Sequence, residues 1–175
     1  EANDGSWHPD GKKSSWQYGT PASVRINRAA SGSKAWKTSL AGNYNDLEKS
    51  YLYSPCFDVT GMTTPTLSFN VALDIEDCGG TLCDAVYVEY SADGITWSRL
   101  GTNGAGTNWY NKNYGGNHVW SIEDYTRWHV ATIPLPTAIS RLRLRVVMES
   151  DPFTNREGVA IDDIHIYDNV NGIYE

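Results

Sequence analysis

Two carboxylates, Asp162 and Asp163, interrupt the strand-forming run Glu157-Gly-Val-Ala-Ile-Asp-Asp-Ile-His-Ile-Tyr167. Successive side chains of a strand point to opposite faces. In a half-buried sheet at most one of the two reaches water comfortably. The other needs a cation or a set of hydrogen-bond donors. Three partners suit it: a metal ion, backbone amides that the carboxylate caps, or an arginine such as Arg145.

A second kind of chemistry is offered by Asn108-Trp-Tyr-Asn-Lys-Asn-Tyr-Gly-Gly-Asn-His-Val-Trp120. Sugars are recognised by flat aromatic faces that bury against their rings, while amides and carboxylates meet their hydroxyls. Trp109, Tyr110, Tyr114 and Trp120 are candidate platforms, interleaved with Asn108, Asn111, Asn113 and Asn117. The same rings could instead fold inward and pin the segment to the body of the protein. Trp128, on an expected strand, is read as packing. A third candidate surface is the stripe Arg141, Arg143 and Arg145, which alternation puts on one side of one strand. Guanidinium forks suit carboxylate or sulfate, so Arg141 and Arg143 are candidates for an anionic polymer. The alternative is pairing with neighbouring-strand carboxylates such as Glu89 and Glu149, a reading that fits Arg145 best.

The remaining chemistry is sparse. Cys78-Gly-Gly-Thr-Leu-Cys83 could close a small disulfide loop or hold two free thiols, and Cys56 is left over as an expected buried residue. A zinc site needs about four ligands, and no such set surrounds the cysteines. The four histidines share no ligand spacing. No Gly-x-Ser-x-Gly nucleophile turn occurs. Gly101 to Gly106 lacks the lysine and the strand-to-helix setting of a phosphate loop. Most carboxylates fall in turns rather than as a pair across a cleft. The acidic residues Asp74, Glu76, Asp77 and Asp84 are read as a solvated loop, with a second cation as the alternative. Catalysis is not expected of this chain.

The elements that must position these groups are strands. The 175 residues suit one domain with a sizeable core. Trp (7) and Tyr (11) outnumber Phe (3) and Met (2), and charged residues stop at 20%, a balance typical of β-rich recognition domains. The net charge of −7 lacks any basic cluster, which argues against nucleic acid. No apolar run reaches the length of a membrane span. Alternating runs predict strands near 34–40, 65–74, 84–91, 95–100, 127–133, 140–149 and 158–167. Ala92-Asp-Gly-Ile95 reads as a hairpin turn. The only helical candidate, 45–50, is too short to matter. The expected fold is all-β, an antiparallel two-sheet jelly-roll sandwich over 1–175, with a long Gly/Asn-rich aromatic insertion at about 101–126.

Several stretches together resemble the MAM-like and cleaved-adhesin-like jelly-roll domains of secreted bacterial proteins. They are Ser15-Trp-Gln-Tyr-Gly-Thr-Pro21, Ala29-Ala-Ser-Gly-Ser-Lys-Ala-Trp-Lys-Thr38, Leu40-Ala-Gly-Asn-Tyr44, Tyr51-Leu-Tyr-Ser-Pro55, Asp84-Ala-Val-Tyr-Val-Glu-Tyr-Ser91 with Asp93-Gly-Ile-Thr-Trp97, Ser150-Asp151 and Gly158-Val-Ala-Ile-Asp-Asp-Ile164. The resemblance implies a non-catalytic attachment, with activity in a neighbouring domain. It implies packing roles for Trp36 and Trp97. It also implies one structural calcium near the chain ends. Its ligands would be Glu1 and Asp4 at the start, carbonyls from Ser31 to Lys34, and Asp163 on the last strand. Asp162 would be left to solvent or local hydrogen bonds. Oxygen-only ligation suits calcium.

The expected function is a secreted or cell-surface accessory domain, stabilised by Ca2+, that binds a polysaccharide or glycan through the aromatic insertion. The alternative is a contact or adhesion module that docks a host catalytic domain or a matrix protein through the same rings.

Overall fold

The computed structural model describes residues 3–170. Two antiparallel sheets enclose one large apolar cluster. The first sheet runs β1 (His8–Lys12), β4 (Lys49–Tyr53), β12 (Arg141–Glu149), β7 (Ala85–Ser91), β8 (Ser98–Arg99), and β5 (Phe57–Asp58) pairs the start of β12. The second runs β11 (Tyr125–Pro134), β6 (Pro65–Asp74), β13 (Gly158–Asp168), β3 (Ala35–Thr38), β2 (Trp16–Gly19). Leu142, Leu144 and Val146 of β12 face Leu67, Phe69, Val71 and Leu73 of β6 across the core, all 3% exposed or less. This is the expected sandwich.

Most of the expected strands form, with 95–100 shortened to Ser98–Arg99. The turn between β7 and β8 forms because the Asp93 carboxylate accepts from the amides of Ile95 and Thr96, both at 2.8 Å. These bonds hold its carboxyl well below the usual range. Strands β1, β2, β4 and β5 were not foreseen. The helical candidate 45–50 is instead loop leading into β4.

The insertion is packed rather than open. It carries a small hairpin, β9 (Lys112–Tyr114) with β10 (Asn117–Val119). One bridge joins Trp120 to Val86 of the first sheet and another joins Thr107 to Thr132 of the second. The insertion thus ties the sheets together. Gly106 permits this contact: a Cβ there would stand 1.9 Å from the Thr132 carbonyl oxygen.

Candidate functional site

The outer face of the first sheet gathers aromatic rings, which were expected in the insertion, and the charges of the arginine strand. In β4, Lys49-Ser-Tyr-Leu-Tyr53, Ser50 and Leu52 are buried while Lys49, Tyr51 and Tyr53 stay half-buried on the other face. Cross-strand register then builds rows. His8 of β1 pairs Tyr53, Tyr53 pairs Arg145, Arg145 pairs Glu89, and Glu89 pairs Arg99. The next row is Asp10, Tyr51, Val147 and Tyr87. Trp97, from the turn before β8, leans over the first row, 5.5 Å from the Tyr53 ring.

Arg145 is the centre of this face. Its guanidinium lies 4.3 Å from the Tyr51 ring centroid and 4.4 Å from that of Trp97. It bridges to Glu89 at 2.6 and 2.5 Å through Nε and Nη2, and Nη1 donates to the Tyr53 hydroxyl at 3.2 Å. Both side chains of the ion pair are about one-sixth exposed, at 15% and 16%. Burial opposes the charge on Arg145, but the bonds to Glu89 and Tyr53 outweigh it and raise the pKa. A cation clamped between rings orients those rings. Beside it, Lys49 bonds Glu149 at 2.5 Å and the Tyr87 hydroxyl at 2.7 Å. Arg99 covers the Tyr87 ring at 3.5 Å. The result is a half-buried sheet surface of oriented rings rimmed by paired charges.

The candidates in the insertion lie elsewhere. Trp109, Tyr110 and Trp120 are 1%, 5% and 2% exposed; Trp109 and Trp120 pack edge-on against Phe69, and Trp120 packs edge-on against both Trp109 and Tyr110. The Trp109 indole donates to the Leu100 carbonyl at 2.9 Å, and burial pushes the Tyr110 phenol up. A sealed ring cannot stack on a sugar, so these three are corrected from ligand platforms to core. The physical reason is that the insertion spans both sheets and needs its own apolar content to do so. Tyr114 is half-buried and donates to the Gly79 carbonyl at 3.2 Å. Arg141 is exposed beside Asp58, its cross-strand partner. Arg143 is half-buried against the Gly94 turn. Arg145 pairs Glu89 as expected, whereas Glu149 pairs Lys49. Trp36 is buried in the core; Trp97 also packs, but half-buried on the outer face against Tyr53 and Arg145. The sign of that face in the sequence is the i, i+2 spacing of Tyr51 and Tyr53.

The two aspartates of β13 occupy a β-bulge. Register passes from Asp162↔Asn70 to His165↔Ser68, so three steps on β13 match two on β6. Simple alternation therefore fails there. Asp162 is buried and accepts from the amides of Ala30 and Ser31 at 3.0 Å each, where solvent or local hydrogen bonds had been expected. Asp163, at φ 49, accepts from Ser31 Oγ at 2.6 Å and Asn70 Nδ2 at 2.9 Å. Asp4 and Asp163 line one small cavity with Trp7, Tyr18 and Trp36. Lys34 extends over the Tyr18 ring, and Glu1 lies outside the described residues.

A different acidic group is close enough together that it could hold a metal ion. Glu76, Asp84 and Asp151 each offer a carboxylate oxygen, all within 4.8 Å of one another. Asp84 is fully buried and accepts from the Tyr44 hydroxyl at 2.5 Å and the Asp151 amide at 2.8 Å. Burial raises its pKa to about 6. Glu76 Oε2 is sealed from solvent with no hydrogen-bond partner. Residues expected to be a solvated acidic loop therefore contribute to a group able to hold a cation. Nearby, Cys78 and Cys83 form a disulfide with Cα atoms 6.0 Å apart. Cys56 is free and only half-buried, not buried as expected.

No known family profile matches this chain, and no curated protein matches it. Solved structures do. The carbohydrate-binding module TmCBM61, solved with β-1,4-galactotriose, is 12% identical with a TM-score of 0.55, over 94% of this chain and 89% of that one. The K2 cleaved adhesin domain of Lys-gingipain is 18% identical with a TM-score of 0.51, over 92% and 89%. The K1 domain of the same protein, from Porphyromonas gingivalis W83, is 15% identical with a TM-score of 0.52, over 95% and 93%. The chain thus has the cleaved-adhesin-like β-sandwich fold, shared with carbohydrate-binding modules.

Proposed function

We propose that this protein is a non-catalytic, secreted or cell-surface accessory module that binds a glycan on the outer face of its first sheet. Tyr53, Tyr51 and Trp97 supply the ring surfaces. Arg145 and Glu89 hold those rings and offer hydrogen bonds to hydroxyls. The observation that carries the reading is the clamping of Arg145 between Tyr51 and Trp97, with Glu89 as its partner. Oriented rings with directed polar groups are what saccharide recognition requires. The likeness to carbohydrate-binding modules supports it.

Calcium belongs to the same reading as a structural ion. Two places could hold it. One is the chain-end cavity with Asp4 and Asp163; the other is the group Glu76, Asp84 and Asp151. The second is the stronger, because its three carboxylate oxygens already lie within 4.8 Å of one another and one of them, Glu76 Oε2, is sealed without a hydrogen-bond partner. Calcium takes six to eight oxygens, and the carboxylates would supply part of that shell.

The test is an affinity-electrophoresis panel of neutral polysaccharides, β-1,4-galactan among them, with wild type, Tyr53→Ala and Trp97→Ala. The expected outcome is retardation by at least one polymer, weakened about tenfold in each variant. Equal retardation of all three proteins would move the site off this face. A second reading, an adhesion module that docks a host enzyme or matrix protein, is favoured by the likeness to cleaved adhesin domains. It predicts no retardation by any polymer.

A further inference from the structure

A basic cleft lies on the other side of the sandwich, between the loop 23–31 and β11. Ala72 and Ala160 point to the outer face of the second sheet, where Ile26 covers them and the half-buried Trp128 packs alongside. The Trp128 indole donates to the Arg28 carbonyl at 3.1 Å. Arg25, Asn27, Arg28, Thr126, Arg127 and Trp128 line the cleft.

The loop is held from beneath by two buried acids. The Glu157 carboxylate accepts from the amides of Arg25 and Ile26, at 3.0 and 2.8 Å. Asp162 accepts from those of Ala30 and Ser31. With its amides turned inward to these acids, the loop presents its cationic side chains outward. Arg25 is neutralised by Asp124 and Asp74. Arg28 and Arg127 are exposed and make no salt bridge among the described residues. Two unpaired guanidinium groups therefore border one ring on a fixed frame, in a chain whose net charge is −7.

We propose that this cleft is a second saccharide site, specific for an acidic sugar. Arg28 and Arg127 grip a carboxylate or sulfate, and Trp128 meets the apolar side of the sugar ring. Fork-shaped donors match the paired oxygens of either acid. The net negative chain repels a dense polyphosphate, whereas isolated acids on a neutral ring fit two arginines. The site is separate from the Tyr53 face and does not depend on it.

The test is calorimetric titration at low salt with tetragalacturonic acid, its methyl ester, dextran sulfate and dextran. Binding of the uronate alone, the sulfate alone or both supports the site and identifies the acid. Arg28→Ala/Arg127→Ala is expected to weaken that binding about tenfold. Lys12→Ala/Lys13→Ala, which removes the same charge from exposed positions elsewhere, and Tyr53→Ala should leave it unchanged. Trp128→Ala should weaken it as well, with melting curves recorded for every variant. The proposal fails if neither acid binds, if the methyl ester binds as well as the acid, or if the lysine pair matters as much as the arginine pair.

Discussion

At the scale of single residues, chemistry followed environment rather than residue type. Trp109 and Trp97 are both tryptophans beside turns, yet one is sealed under Phe69 and the other leans over Tyr53. Composition could not separate them, because the insertion's depth depends on two bridges to strands far away in sequence. Trp109→Ala and Trp120→Ala should each cost about 3–5 kcal/mol in stability, read by chemical denaturation, rather than selectively remove a ligand. Lys37 supplies a prediction in pH. It is fully buried and donates to the carbonyls of Thr38, Ser39 and Glu157. Desolvation lowers its pKa to about 8 against an ordinary 10.5, although Glu157 and Asp74 pull the other way. Between those values the unfolded chain binds more proton, so this residue's contribution to stability rises with pH, and below them its penalty is complete. Relative to Lys37→Met, wild type should gain on the order of 3 kcal/mol across that window. Parallel stability curves for the two proteins would exclude a strained Lys37.

At the scale of elements, β6, β7 and β12 were legible because alternation is written into them, and β13 because it is a long run of strand formers. Strand β4 was not, although Tyr51 and Tyr53 alternate with Ser50 and Leu52. Five residues bounded by Glu48 and Ser54 are too few for periodicity to stand out. The face that Tyr51 and Tyr53 belong to also exists only once β1, β12 and β7 are placed beside them. The Asp162–Asp163 pair shows the limit of alternation: a bulge, invisible in the residue pattern, lets both carboxylates bind one loop. Gly106 is the element-scale test of how the insertion docks. A Cβ there would clash with the Thr132 carbonyl oxygen, so Gly106→Ala should destabilise by more than about 1 kcal/mol. It should also expose tryptophan fluorescence to quencher. Unchanged stability and quenching would mean that the insertion does not seat against β11.

At the scale of the whole molecule, the sandwich is a frame with two proposed binding surfaces and a cluster of three carboxylates that could hold a cation. Chelation of calcium should lower the melting temperature of wild type but leave Asp84→Asn/Asp151→Asn nearly unaffected. A double variant that still responds fully would return the ion to the chain-end cavity with Asp4 and Asp163. The central claim concerns the first sheet. Its most direct test is an NMR titration with the oligosaccharide that performs best in the polysaccharide panel. The predicted result is a set of shifted amide and indole signals confined to Tyr51, Tyr53, Glu89, Trp97, Arg145 and their strand neighbours. Shifts centred on residues 101–126, with the β4 and β12 signals unmoved, would contradict it.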